Sequence, residues 1–424
     1  MVLVPWTVRA TTQPEASSWA LKELLEGDKM GLYPMEYRLE NMNFTTPLEK
    51  KEGEELYRRT AEKLKDMGIT KIDSKEFIFQ QGTRKEIMEA LLNLYGEKSF
   101  QREKERIRFL QEKGILKGKG NTLDLEGVCS KEEAIALFTR TVKEMTKKNG
   151  LGAKGFLWSV EHRGQKIYLF GSIHMGKHRM YPIRSEVLEA FQKSEHIYFE
   201  VATEDEKEWE YMKKQMTYSD GRTLREDLGE KDYQSFVEIM DLSDIPEEEY
   251  KYYRPWAAYH LLSTNPENVT IKNYLGVDSY FMEKAKLYGK KIHQLESVKR
   301  QTDTLYDVAP EEYLGMIRQV LEEINQHGYR TLDDQIDTLQ ECWIQGDVKK
   351  INGYLQLEDT RSEEKVKDVL LGQRDIDFAD NIEKILRKKG KKTSFVVIGA
   401  AHLTPKQSVV GLLKQRGYRV KSYQ

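Results

Sequence analysis

The sequence predicts an α/β protein: a mostly parallel sheet flanked by helices, preceded by an all-α module of helical repeats. Three observations predict it. From about residue 153 onward, short apolar runs closed by glycine alternate with amphipathic helical stretches. The first 150 residues lack such runs and repeat a helix–loop–helix pattern instead. Two of the apolar runs, KIYLFGSIH and FVVIGAAH, end in the same order of glycine, two residues and histidine.

A chain of 424 residues exceeds one compact core, so two domains are expected, 1–150 and 151–424. Charged residues make up 33%, hydrophobic residues 39%, and the net charge is −2. That balance argues against a nucleic-acid partner or an anionic membrane partner. No run of 18 apolar residues exists, so no membrane span is expected. The opening MVLVPWTVRA lacks a basic stretch followed by an apolar one, so export would require a signal outside this sequence. The two cysteines, Cys129 and Cys342, fall in different predicted domains and form no C-x-x-C, which argues against a disulfide framework and a structural zinc site.

Each element has a local reason. SSWALKELLEGDKMGLYP (17–34) and EKERIRFLQEKGILKG (103–118) are amphipathic helices stopped by glycine and an apolar pair. PLEKKEGEELYRRTAEKL (47–64) and VCSKEEAIALFTRTVKEM (128–145) supply second helices, and QGTRKEIMEALLNLYG (81–96) echoes them. FLWSVEH and QKIYLFG make a hairpin turning at Arg163-Gly164. A helix over 182–194 and a strand HIYFEVA (196–202) follow, then a helical, acidic region over 204–264. Residues 274–297 read as helix then strand, and 310–390 as helices. TSFVVIG, a helix over 405–416 and YRVKSY close the chain.

Ligands of parallel sheets sit at the carboxyl ends of the strands. His174 and His402 stand just beyond two such ends, and Glu200 closes the strand HIYFE. Imidazoles with a carboxylate are a common hydrolytic metal set, with one position open for an activated water. The other histidines have plainer readings: His178 solvated in a turn, His162 exposed, His196 and His293 structural. Trp256 reads as a core anchor, and Asp278 as either an N-cap or an acidic ligand.

The second part resembles the TraB/PrgY/GumN family, related to the TIKI proteases. The residues that carry this are FGSIHMG with YP following, IYFEV, RPWAA (254–258), GVDSYF (276–281), QLES (294–297) and VVIGAAH. The resemblance implies a TIKI- and erythromycin-esterase-like fold and a metal-dependent hydrolase, a peptidase acting on peptides or protein N-termini. It implies catalytic roles for His174, Glu200 and His402, with Asp278 as a further metal ligand and either Glu296, an acidic neighbour, or Glu200 itself as general base. Manganese or cobalt is favoured, and zinc is compatible. Where the family carries Glu-Arg-Asn, this chain reads Gln373-Arg374-Asp375, and Arg374 is expected to steady an oxyanion or a substrate carboxylate. A protein that captures a pheromone-like peptide without cleaving it, or an esterase-like hydrolase, are the alternatives.

Thr83-Arg84-Lys85-Glu86, with degenerate echoes at 49–52 and 130–133, resembles the motif of surface-layer homology repeats. That resemblance implies anchoring to cell-wall polysaccharide through residues 1–150 and an extracellular location. A capping box at the helix start is the plain alternative for the same four residues.

Overall fold

The computed structural model describes residues 15–34, 42–70, 72, 77–97, 99–100, 102–118, 123–203, 205–243, 245–263, 274–328, 330–357, 366 and 368–424. The chain divides into two compact units. Of the described residues, one holds those in 154–176 and 186–424, and the other holds those in 15–153 together with 177–185.

The helical unit is built from Leu21–Lys29, Lys50–Asp66, Arg84–Leu94, Glu103–Glu112 and Lys131–Lys148. The three echoed helices all start on a reciprocal capping box: Glu49 with Glu52, Thr83 with Glu86, and Ser130 with Glu133. Each box satisfies backbone N–H groups that the first helical turn leaves free. The approaches to these helices pair with one another, Pro47 with Ser130 and Thr83 with Val128. Leu56, Leu64, Ile87, Leu91, Ile135 and Phe138 fill the core beneath them.

Arg84 is buried. Its Nη2 donates to Glu133 at 3.1 Å and its Nη1 to the carbonyls of Lys117 and Leu123, both at 3.3 Å. The guanidinium is thus spent inside the unit, where the motif led us to expect it facing a ligand. His178, expected in solvent, is another correction. Its Nδ1 lies 3.0 Å from the Lys29 carbonyl, and its own carbonyl accepts from Lys63 Nζ at 2.7 Å. The polar sequence around it hides a tertiary contact that composition does not report.

The α/β unit is organised on a six-stranded sheet in the order β4-β3-β5-β2-β1-β6. The strands are β1 Phe156–His162, β2 Gln165–Ser172, β3 His196–Phe199, β4 Lys291–Gln294, β5 Lys392–Gly399 and β6 Val420–Ser422. β1 and β2 form the expected hairpin, with Arg163 at φ +50° and Gly164 at φ +88° in the turn. β2, β5, β3 and β4 run parallel, and β1 and β6 are antiparallel additions. Helices flank the sheet, and Phe170, Phe191, Phe281 and Phe395 interlock their rings on one of its faces at centroid distances of 5.2–5.8 Å. The acidic region folds as helices Glu206–Met216, Leu224–Leu228, Glu230–Asp241, Glu247–Tyr250 and Pro255–Ser263. Trp256 is buried there, donating its Nε1–H to Gln215 at 3.3 Å. Among the described residues, no helix is long and apolar enough to cross a membrane.

Candidate functional site

β5 lies between β2 and β3, so the two G-x-x-H turns leave neighbouring strands. Their ends are in register, with Ser172 opposite Gly399, and Phe199 of β3 opposite Val397. His174 therefore follows β2, Glu200 follows β3, and His402 ends the short 3₁₀ turn Ala400–His402 that follows β5. All three side chains are buried.

They converge on the space left by the missing side chain of Gly399. A Cβ at that position would stand 3.2 Å from Glu200 Oε1, 3.6 Å from His402 Cδ2 and 3.9 Å from His174 Nε2. The Gly399 N–H also donates to Glu200 Oε1 at 2.6 Å. The glycine is needed for room here. Gly176 in the first turn is needed for the same reason, since a Cβ there would lie 1.9 Å from the Leu275 carbonyl.

Arg374 knits the carboxylates together. It sits on the helix Gln373–Leu386, entered through a π-helical turn at Asp368–Gly372. Its Nη2 donates to Glu200 Oε2 at 2.8 Å and also to Glu296, while Nε donates to the two Glu296 oxygens at 3.1 and 3.2 Å. Nη1 donates to the Leu370 carbonyl at 3.0 Å and lies 3.3 Å from His402 Nε2. Glu296 arrives after β4, where its N–H bonds the Glu200 carbonyl at 2.9 Å. A guanidinium carried this deep is stable only because two carboxylates and a carbonyl meet its donors.

The two histidines are backed alike. His402 Nδ1 lies 2.6 Å from Asp375 Oδ1, and His174 Nδ1 lies 3.0 Å from Asp278 Oδ1. The first pair is a hydrogen bond; the second lacks hydrogen-bond alignment, and both Asp278 oxygens are buried without a hydrogen-bond partner among the described residues. Asp278 belongs to the first turn of the helix Val277–Leu287, whose N-cap is Gly276, so the N-cap reading is corrected. It faces the Nδ1 side of His174, away from the side turned to Glu200.

Charge follows from this packing. Burial works to raise the Glu200 pKa, but His402, Arg374 and His174 beside it outweigh burial and hold the carboxyl well below its usual range. Burial works to lower the His174 pKa, and Asp278 and Glu200 outweigh it, so the net is upward. Burial raises Glu296 against the pull of Arg374, and raises Asp375 against that of His402.

Sequence reading missed several contributors. Asp375 counted only as a departure from a family pattern, although its adjacency to Arg374 on one helix was visible. Gln340 and Trp343, on the helix Arg330–Gln345, hold the first turn through the carbonyls of Met175 and Gly171 at 3.0 and 2.8 Å. Asn352, on the helix Val348–Leu357, holds the second through the Thr404 carbonyl at 2.7 Å. His260 is a further buried histidine, with its pKa pushed down to about 3 by burial and His174 acting in the same direction.

Among the described residues, no group of three or more His, Cys, Asp or Glu side chains is arranged to hold a metal ion. Arg374 is the cation that Glu200 and Glu296 enclose.

The sequence model of the TraB/PrgY/gumN family matches residues 156–422. The chain is similar to a protein named Metalloprotease TIKI homolog from Nematostella vectensis, 22% identical over 315 residues. That alignment covers 63% of this chain and 66% of the relative, a little under two thirds of its length. No solved structure matches. With well over half its length matched, and the matched segment holding every strand of the sheet and all the side chains of the centre, the chain belongs to the TraB/PrgY/gumN family.

Proposed function

We propose that the chain hydrolyses peptide bonds at the centre formed by His174, Glu200, Arg374 and His402. The observation that carries this is the pairing of His402 with Asp375. The tautomer satisfying both contacts of His402 puts its proton on Nδ1, against Asp375, and leaves the Nε2 lone pair toward the centre. Such a ring can take a proton from water, and the carboxylate behind it steadies the charge that develops. Arg374 Nη1, in its longest contact of 3.3 Å, is the donor best placed to turn to the oxyanion of a tetrahedral intermediate. His174, its pKa raised, is suited to return a proton to the leaving amine. Glu200 and Glu296 fix the guanidinium.

The protease name of the relative supports the choice of peptide over ester substrates. A separate proposal is that His174, Glu200 and His402, with Asp278 beside them, hold a divalent ion, manganese or cobalt before zinc. Its support is their convergence at Gly399, and it requires Arg374 to withdraw from Glu200. Anchoring on cell-wall polysaccharide and an extracellular location are also proposals, supported by the threefold echo of capped helices. Binding to purified cell walls tests them.

The deciding experiment incubates the protein with a peptide library, read by mass spectrometry, beside His402→Ala and Glu200→Gln. Cleavage by the wild type that both variants lose is expected. Cleavage unchanged in His402→Ala would overturn the assignment. Metal analysis of the same samples, with activity before and after chelation, decides the ion.

A further inference from the structure

The amino ends of the parallel strands, remote from the centre, carry a second polar group that hydrolysis leaves unused. His196 opens β3, and its in-register neighbours are Lys291 on β4 and Ser394 on β5. Side chains alternate along a strand, so Lys392, Ser394, His196, Tyr198, Lys291 and His293 share one face of the sheet. The His293 ring stacks on Tyr198 at 4.6 Å and on His196 at 5.0 Å. His196 Nδ1 lies 2.8 Å from His293 Nε2, so one ring donates to the other.

The remaining nitrogen of His196, Nε2, is shielded from solvent and has no hydrogen-bond partner among the described residues. Leaving a buried polar atom unpaired is costly, which asks for a missing partner. The charge around it is mainly positive. After burial, Lys392, Lys291 and Lys388 press the His196 pKa down, with Glu195 alone opposing, and Lys388 and Lys291 act likewise on His293. Among the described residues, none of these three amines is engaged in an ion pair. A metal ion on the two rings would be repelled by the lysines. An oxyanion would be held by them.

We propose that this face binds a phosphate group, with His196 Nε2–H and the amines of Lys291, Lys388 and Lys392 as donors. In that tautomer His196 Nδ1 accepts from His293 Nε2–H, which leaves His196 Nε2–H as the unpaired donor for the anion. The group is a phosphate carried either by a soluble phosphorylated compound or by a lipid headgroup, since both offer the same oxygens.

The test titrates the whole chain with inorganic phosphate at constant ionic strength, following the ring resonances of His196 and His293. We expect saturable shifts, with affinity weakened about tenfold in the Lys388→Gln/Lys392→Gln variant. Both lysines are exposed, so this variant should melt like the wild type; the wild-type titration stands alone if it does not. Shifts that chloride reproduces, or that fail to saturate, would overturn the proposal. Sedimentation with phosphatidylcholine vesicles only when phosphatidic acid is included, lost in the double variant, identifies the headgroup. Saturation without sedimentation identifies a soluble compound.

Discussion

Asp375 holds His402: its Oδ1 lies 2.6 Å from the ring Nδ1, and both side chains are buried. Replacing Asp375 by Asn keeps an acceptor for Nδ1–H and removes the charge. We expect kcat to fall roughly 10- to 100-fold with KM little changed, as for other residues that orient a reacting histidine. Steady-state kinetics on a cleaved peptide checks this, and an unchanged kcat would mean the pair only packs.

Arg374 is the counter-ion for Glu200 and Glu296. Arg374→Met leaves two buried carboxylates without it, and we expect a loss of about 3–5 kcal/mol in urea unfolding. Arg374→Lys, which cannot reach both carboxylates with one fork, should recover only part of that.

Gly399→Ala places a methyl 3.2 Å from Glu200 Oε1. The fold should tolerate it at a cost of about 1–3 kcal/mol, while activity falls further than stability. Thermal melting beside the peptide assay separates the two effects.

Lys63 makes the helical unit sensitive to alkaline pH. Burial pushes its amine from 10.5 down to about 8, with Asp66 opposing. Between those values the unfolded chain holds a proton that the folded chain has released. Stability must therefore rise with pH across the window, by at most about 3 kcal/mol, and lie flat with respect to this group below pH 8. Lys63→Met should remove that rise, which urea titrations at pH 7.5 and 10 would reveal as a difference between the two proteins.

Arg84→Ala should weaken the helical unit by about 2–3 kcal/mol, because Glu133 and two carbonyls lose their donor. Far-ultraviolet circular dichroism during unfolding reads it without any polysaccharide present.

The strand ends were legible because glycine and histidine follow apolar runs at matching distances, and alternation leaves little choice of register there. Helix starts were legible from Ser130, Thr83 and their glutamates. Partnership across the chain was not. Nothing local to Trp343 announces that its indole bonds the Gly171 carbonyl, and Asn352 reads as an ordinary helix residue until the Thr404 turn is seen above it. The role of Arg374 was half legible: the residue stood out, but its enclosure by Glu296 depends on where β4 ends. His178 failed because burial of a polar turn is decided by residues more than a hundred positions away.

The place of β5 bears on how the protein is made. This central strand is translated after β1 to β4, yet β2 and β3 have it between them. Until residues 392–399 leave the ribosome, β2 and β3 each carry an unpaired edge, and contacts between segments so distant in sequence close slowly. A nascent or truncated chain lacking this strand should therefore be a client for chaperones and prone to aggregate. The histidine that completes the centre, His402, arrives only three residues behind it, so a chain stopped before that point lacks the centre.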